Sequence, residues 1–225
     1  MGLSPTNLHR GNLHTLCESV RELGGLGVES LKVDRLSCVG EGEALSEYAI
    51  TAEEEYDAYL AYIPQYIEDG MPVPNLMLSG LFSARDGEFG IGRERHPEGE
   101  DCGNKVICGA ARATMYLGPD GRILPCIPMS ELEAASEAFP RIDEMTIAEA
   151  LADSTYLSFI TTTLGDYLRH NPECAECAYS NRCCGGCRGR AVLENGASDL
   201  MGVDPDACLV FKGGYYERVK AMLQS

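Results

Sequence analysis

The chain has 225 residues, of which 44% are hydrophobic and 24% charged. This balance is typical of a soluble protein of two modest domains or one large one. No stretch approaches the roughly 18 apolar residues that a membrane span needs, and the N-terminus lacks the apolar region of a secretory signal. The net charge of -17 argues against nucleic acid, whose phosphates require Lys and Arg. We therefore expect a cytoplasmic protein with neither a nucleic-acid nor a membrane partner.

The first part of the chain, residues 1–93, predicts helices that alternate with strands. Residues 12–23 carry apolar side chains at helical spacing and are followed by a glycine pair that ends a helix. Residues 28–36 alternate as a strand does, and residues 75–82 predict a second buried strand, with a third strand if Leu3 ends one. Alternation of this kind implies a parallel α/β piece. Two or three strands cannot bury both faces of a sheet, so the piece indicates part of a larger barrel or sheet.

A second helix is expected to begin after Thr51 and to run to about Glu68. Glu54 stands where a capping box requires it, and the acidic residues 53–55 complement the helix dipole. Pro64 should kink this helix or end it early, because proline removes a backbone donor.

The remaining residues predict a different organisation. The glycine-rich, charged segment 84–101 indicates a linker or ordered loop. The sequence Gly-Pro-Asp-Gly at 118–121 predicts a turn that joins 114–117 and 122–126 in a β-hairpin. Thr146 is expected to cap a short helix and Ser154 a longer one over 155–169. Further helices are predicted at 188–194 and 212–223.

Cysteine is the unusual residue: the chain has eleven, nine of them between positions 102 and 208. An odd count and tight C-x2-C spacing favour an intracellular metal site over a disulfide framework. Eight thiolates suffice for two four-ligand sites, and both zinc and iron–sulfur clusters take four thiolates. The spacing alone favours iron–sulfur only slightly. The ordered set is Cys102, Cys108, Cys126, Cys174, Cys177, Cys183, Cys187 and Cys208.

The pattern C-x12-G-x4-C, gap, C-x2-C-x5-C-x3-C, gap, C over residues 108–208 resembles the seven-cysteine signature of the SPASM domain. This domain is the C-terminal extension of many radical S-adenosylmethionine (SAM) enzymes, and it binds auxiliary iron–sulfur clusters. Cys102 adds the eighth ligand found in members with two full clusters. The resemblance covers about residues 100–225, and residues 1–93 resemble more weakly the end of the family's partial (β/α)6 barrel.

The resemblance implies a fold and two ligand sets. The fold is an α/β piece, the C-terminal strands and helices of the partial barrel (1–93), followed by a small α+β cysteine-rich SPASM domain with a β-hairpin (94–225). Each ligand set would hold one [4Fe-4S] cluster. The first set is Cys102, Cys108, Cys126 and Cys187; the second is Cys174, Cys177, Cys183 and Cys208.

Polar side chains end the predicted strand 28–36, where parallel barrels place functional groups. Lys32, Asp34 and Arg35 are therefore candidate residues on the side of SAM or substrate, although an ordinary salt-bridged strand end explains them equally well. The period of a strand points Lys32 and Asp34 to one face. No catalytic residue is assigned.

The resemblance also implies what a full enzyme would need. Family members cleave SAM at a separate [4Fe-4S] cluster held by C-x3-C-x2-C, and this chain contains no such motif. We therefore expect SAM and a third cluster only in a full-length or assembled enzyme, with a missing N-terminal half or a reductant protein as partner. The expected substrate is a peptide or protein. In the sulfatase-maturing branch, Asp typically follows the third cluster cysteine; Ile127 here speaks against that branch.

A second function stays open. The chain could be a metal-stabilised binding module, with zinc or structural clusters, that recognises a peptide or protein without catalysis. Three cysteines lie outside the ligand sets. Cys17 fits the core face of a helix, Cys38 follows a strand, and Cys184 is expected to be a bystander beside Cys183.

Overall fold

The computed structural model describes residues 4–38, 40–92, 101–131, 137–195 and 199–224. The chain divides into two compact units. Unit 1 comprises Met1–Glu94 and Leu209–Ser225, and unit 2 comprises Arg95–Cys208. The domain bounds inferred from the sequence stay a prediction.

Unit 1 is a mixed α/β structure built on a five-stranded sheet in the order β1-β2-β3-β4-β5. The first three strands are parallel, and β4 and β5 are added antiparallel. Short 3-10 helices lie at Leu13–Thr15 and Gly40–Tyr48. The strands and helices are β1 Ser4–Leu8, α1 Leu16–Gly25, β2 Ser30–Arg35, α2 Ala52–Glu68, β3 Asn75–Leu78, β4 Phe82–Arg85 and β5 Glu88–Gly90.

The two faces of this sheet differ in burial. Leu31 and Val33 of β2 are buried, whereas Lys32 and Asp34, which alternate with them, remain half exposed. The same alternation continues in β3, where Leu76 is buried. One face of the sheet therefore belongs to the core, and the other is open and carries Lys32, Asp34 and the exposed Met77, as the strand period requires.

Helix α2 confirms the capping predicted at Thr51. The Thr51 hydroxyl accepts from the Glu54 amide at 3.1 Å, and the Glu54 carboxylate accepts from the Thr51 amide at 2.8 Å. The helix continues through Pro64 to Glu68, so the expectation of an early end is wrong. Its residues on both sides of the proline, Ile63 and Tyr66, are fully buried. Their packing outweighs the roughly 3 kcal/mol that an internal proline costs.

The segment 84–101 is only partly a loop. Residues 82–90 form the β4–β5 hairpin, which turns at Asp86 and Gly87 with φ of 50° and 85°. Asp-Gly between two strands is a strong signal for a two-residue hairpin turn with positive φ, and the linker interpretation overlooked it. The structure does not describe residues 93–100.

Unit 2 consists mostly of short helices, with one two-stranded antiparallel sheet. In that sheet Tyr116 pairs with Leu124 and Leu117 with Ile123, on either side of the turn at 118–121. A 3-10 helix follows at Ile127–Glu131. The other elements up to residue 195 are α3 Gly109–Ala113, β6 Tyr116–Leu117, β7 Ile123–Leu124, α4 Ile147–Leu151, α5 Ser154–Thr161, α6 Leu164–His170, α7 Pro172–Ala175, α8 Ser180–Cys183 and α9 Arg188–Asn195.

The helix predicted over 155–169 is two helices. Asp153, not Ser154, caps the first, since its carboxylate accepts from the amides of residues 155 and 156. The second, α6, begins after Thr163, which forms a capping box with Asp166. A capping box in the middle of a helical pattern starts a new helix because the side chain satisfies the orphan amides there.

The C-terminal prediction needs a similar correction. The helix predicted over 212–223 is present as α11 Tyr215–Gln224 and begins three residues later than expected, and a preceding helix, α10 Pro205–Lys212, was not predicted. The break falls at Gly214, whose φ of 84° a helix does not allow. Among the described residues, no helix is both long and apolar enough to cross a membrane.

Candidate metal centre

All eight cysteines of the ordered set lie in unit 2. Cys102 is buried, Cys187 is exposed, and the other six are half buried. None of the eleven cysteines, all within the described ranges, is in a disulfide.

Cys108 and Cys126 pack against the same hydrophobic core of unit 2, which we call the hairpin core. A Cβ atom on Gly189 would lie 3.6 Å from the Cys126 Sγ and 2.6 Å from the Cβ of Pro128. Glycine is therefore required by the close approach of α9 to Pro128, while the contact with Cys126 is an ordinary van der Waals distance. Two members of the first predicted ligand set therefore pack against one core, and the ligand set itself stays a prediction. The buried members of the hairpin core are Ala111, Ile123, Leu124, Met129, Phe139, Ala150, Tyr156, Phe159 and Val192.

A second core of unit 2, which we call the tyrosine core, holds Cys102, Tyr167 and Cys184, with Cys174 packed against it. The Tyr167 Oη lies 3.6 Å from the Cys174 Sγ, within hydrogen-bond distance for sulfur. Cys102 and Cys174, which the resemblance assigns to different sets, therefore pack against one core. The ligand assignment itself stays a prediction.

The Tyr167 hydroxyl has a raised pKa. Burial is the largest cause, the Arg188 charge lowers the pKa, and the neighbouring Cys174 and Cys183 raise it. The hydroxyl is therefore neutral at physiological pH and can donate a hydrogen bond to a thiolate.

The segment between Cys183 and Cys187 is a tight left-handed turn. Cys184, Gly185 and Gly186 have φ of 48°, 75° and 74°. A Cβ on Gly185 would lie 2.7 Å from the Tyr167 ring, and one on Gly186 would overlap Asp204 and lie 2.7 Å from the Ala207 Cβ. The two glycines therefore let the turn pass close to both neighbours.

Asp204 joins this turn to helix α10. Its buried carboxylate accepts from the Cys187 amide at 2.8 Å and from the Asp206 amide at 3.0 Å. The Asp204 carbonyl accepts from the Cys208 amide at 3.1 Å. One residue therefore fixes the backbone of Cys187 and of Cys208, which belong to different predicted sets. Sequence analysis missed this role; Asp before Pro at a helix start was the available signal.

The donor chemistry fits a thiolate-bound metal. The unit offers eight cysteines, and close backbone approach is provided by glycines at 185, 186 and 189. Within the described residues, however, no three Cys, His, Asp or Glu side chains form a group that could hold a metal ion. Four of the eight cysteines, Cys102, Cys108, Cys126 and Cys174, are divided between the two cores. Zinc or a four-iron cluster therefore fits the donor type, and its binding would have to draw the cysteines together.

The candidate residues in unit 1 fall on two sides of the sheet. Lys32 and Asp34 share the open face and form an ion pair with Nζ and Oδ2 2.6 Å apart. Arg35 instead reaches the buried Glu55 of α2, with Nη1 and Oε2 3.2 Å apart. Tyr59 also donates to Glu55, at 3.0 Å. The structure therefore separates Arg35 from the other two candidates.

Comparison with known proteins gives a likeness of fold. No family model matches the chain, and no curated protein matches it. Among solved structures, anSMEcpe, an anaerobic sulfatase-maturating enzyme of the radical SAM/SPASM class, superposes on 98% of this chain with a TM-score of 0.54 and 16% identity. That structure is described as holding AdoMet and a Cp18Cys peptide. A second, with AdoMet alone, gives the same values.

The chain spans about half the length of these matched structures, 55% in both cases. At 16% identity the likeness concerns the fold: a mixed α/β architecture compatible with that of a radical SAM enzyme.

Proposed function

We propose that this chain is the C-terminal portion of a radical SAM/SPASM oxidoreductase that modifies a peptide or protein. In this proposal unit 2 binds two auxiliary [4Fe-4S] clusters, and the open face of the unit 1 sheet lies toward SAM or substrate. Cleavage of SAM belongs to a C-x3-C-x2-C half, present in the full-length or assembled enzyme. Reduced thiols and oxygen-sensitive clusters suit the reducing environment of the cytoplasm.

The observation that carries this proposal is the cysteine spacing within a chain of matching fold. Seven cysteines and Gly121 stand in register with the SPASM signature. The chain also superposes over 98% of its length on a radical SAM/SPASM enzyme.

Packing brings some of the predicted ligands to a common core. Cys108 and Cys126 of the first set pack against the hairpin core. Cys174 of the second set packs against the tyrosine core, which also holds Cys102 of the first set. When bound, such clusters supply electron relay or a site that binds substrate. This chain's own residues hold the cysteine backbone through Asp204, bury one side of each site in a small core, and place a neutral hydroxyl beside Cys174.

Lys32 and Asp34 would contribute to the same enzyme from unit 1. Both lie on the open face near the carboxyl end of β2, where parallel strands place functional groups. Their ion pair gives the face one donor and one acceptor for a zwitterionic or peptide ligand. Arg35, held by Glu55 on the buried side, is better explained as a structural residue.

The substrate is proposed as a class. One matched structure contains a bound Cp18Cys peptide. This peptide supports a ribosomally made peptide or a protein as the substrate. Ile127, which is 60% exposed, stands where the sulfatase-maturing branch typically has Asp. We therefore propose a peptide-modifying reaction other than sulfatase maturation.

The first experiment is a metal count on the full chain produced without oxygen. We expect about eight iron and eight acid-labile sulfide per chain, the content of two [4Fe-4S] clusters. About two zinc with little sulfide would contradict the proposal and favour the binding module. The chain alone is expected to make no 5′-deoxyadenosine from SAM, and its formation would contradict the assignment of SAM cleavage to another half.

Single cysteine variants sharpen this count. Cys126→Ser and Cys177→Ser should each lose about four iron, because each removes a ligand from a different set. Cys38→Ser is the matched control, a half-buried cysteine of unit 1, and Cys184→Ser tests the predicted bystander. Both should keep about eight iron. Loss of iron in Cys184→Ser would move that residue into a ligand set.

A further inference from the structure

Arg188 is a buried cation in the metal-binding unit. It follows Cys187 and is only 2% exposed. Its Nη1 donates to the Gly202 carbonyl at 2.6 Å, and its Nη2 donates to the Gly185 carbonyl. The buried Nε has no hydrogen-bond partner, and in the described part of the chain no carboxylate forms an ion pair with this guanidinium.

This arrangement is costly for an arginine. The guanidinium stays charged in proteins, and an uncompensated buried charge destabilises a fold. Two neutral carbonyls satisfy donors without balancing the charge. The neighbouring Arg190 is different, because it reaches Glu194 and Asp206 at 3.5 and 3.3 Å. A buried arginine without a carboxylate therefore indicates a missing anion nearby.

The surroundings of Arg188 identify where the anion belongs. Its Cζ lies 4.7 Å from the centre of the Tyr167 ring. The hydroxyl of that ring lies 3.6 Å from the Cys174 Sγ. Arg188 also holds the left-handed turn that follows Cys183, through the Gly185 carbonyl. The charge is therefore linked to Cys174 through the Tyr167 side chain, and to Cys183 through the backbone turn at Gly185.

We infer that Arg188 is the charge-compensating residue of the iron–sulfur site that contains Cys174, and that Tyr167 donates a hydrogen bond to that site's sulfur. The inference rests on the proposed function. A cluster with four thiolates is an anion, and its reduced form carries one more negative charge than its oxidised form. A fixed positive charge in a buried site stabilises the reduced form, and so raises the reduction potential.

The test compares neutral and charged variants of the anaerobic holoprotein. Arg188→Met and Arg188→Gln remove the charge, Arg188→Lys keeps it, and Tyr167→Phe removes only the hydroxyl. Iron and sulfide are counted first, and each cluster is then titrated against potential by electron paramagnetic resonance. In both neutral variants we expect the ratio of reduced to oxidised cluster to fall about tenfold at one site, which corresponds to 59 mV for one electron. Arg188→Lys should change it less than threefold.

Tyr167→Phe should move the same cluster in the same direction by a smaller factor. Loss of about four iron in the neutral variants, restored in Arg188→Lys, would equally support the inference, because it shows that the charge holds the cluster. Unchanged potentials at full iron content in the neutral variants would overturn it. So would equal loss of iron in all three Arg188 variants, since shape rather than charge would then matter. Wild-type protein without iron would instead refute the proposed function, and the inference with it.

Discussion

The two units of this protein are stabilised in different ways. Unit 1 has a five-stranded sheet and a 17-residue helix, α2. Four tyrosines of this helix are buried in the core of the unit. The described helices of unit 2 before α10 have at most eight residues, and its sheet has two residue pairs. Helices this short are unstable by themselves. The four α2 tyrosines are Tyr56, Tyr59, Tyr62 and Tyr66.

The buried polar groups of the two units differ in charge. In unit 1, the Tyr66 hydroxyl donates to the Val73 carbonyl at 2.7 Å, burial raises its pKa to about 12, and the buried Tyr62 hydroxyl has no hydrogen-bond partner among the described residues. In unit 2, the buried group is a cation, Arg188, which forms no ion pair within the described residues. An unbalanced buried charge costs more free energy than a neutral hydroxyl, so unit 2 is expected to depend more than unit 1 on an added anionic group.

Removal of the metal should have the largest effect on stability, and this effect should be confined to unit 2. Structural thiolate sites contribute about 10–16 kcal/mol of apparent folding energy in small zinc peptides. We expect chelation of the holoprotein to abolish amide protection in 101–195 while 52–90 stays protected. Hydrogen exchange with mass spectrometry measures this. Equal protection of both units before and after chelation would contradict the view that unit 2, but not unit 1, depends on a metal for its stability.

The buried ion pair of unit 1 gives the next largest effect. Arg35→Met leaves the Glu55 carboxylate, which is 1% exposed, without its cation. Breaking such a pair costs about 3–5 kcal/mol. Arg10→Met is the matched control, because Arg10 pairs with the adjacent Glu54 at the surface, where ion pairs contribute about 0–1 kcal/mol.

The free energy of unfolding of both arginine variants is measured in urea, with the backbone amides of α2 as the probe. Similar losses in the two would mean that the Arg35 pair is solvated, and that the core of unit 1 does not depend on it.

Two glycines with positive φ, Gly186 in unit 2 and Gly214 in unit 1, allow a direct comparison of the units. Gly186→Ala adds a methyl group that overlaps Asp204 in a backbone with φ of 74°, and we expect it to cost about 2–5 kcal/mol. Gly214→Ala has a similar φ of 84° but open space around it, so it should cost only the 1–3 kcal/mol of backbone strain. Thermal unfolding and iron content are measured on both; Gly186→Ala alone should lose iron.

Loss of the helix cap at Thr163, between α5 and α6, should have the smallest effect on stability. Thr163→Ala removes the acceptor of the Asp166 amide, at a cost of about 1 kcal/mol. Thr161→Ala is the control, because its hydroxyl donates only to the Leu157 carbonyl. Hydrogen exchange at the start of α6 should increase only in the first variant. An unchanged rate would mean that the packing of Tyr167 and Leu164 fixes this helix without its cap.

Local signals predicted much of the fold. The capping boxes at Thr51 and Thr146 are present, and the strand residues 30–35 alternate as expected. Errors arose where two local signals competed. Pro64 did not end its helix because buried neighbours hold it, and the Asp86-Gly87 hairpin was lost in a charged, glycine-rich segment.

The sequence by itself determined that this protein carries eight cysteines whose spacing predicts two four-thiolate sites, because spacing along the chain is a property of the sequence. The period of a strand also puts Lys32 and Arg35 on opposite faces. Only the tertiary structure decided that Arg35 pairs with the buried Glu55, that Asp204 fixes the backbones of Cys187 and Cys208, and that Arg188 is buried over Tyr167. These contacts join residues that are distant in sequence or set the direction of a side chain. Neither hydropathy nor spacing encodes them, since both describe only the residues beside each position.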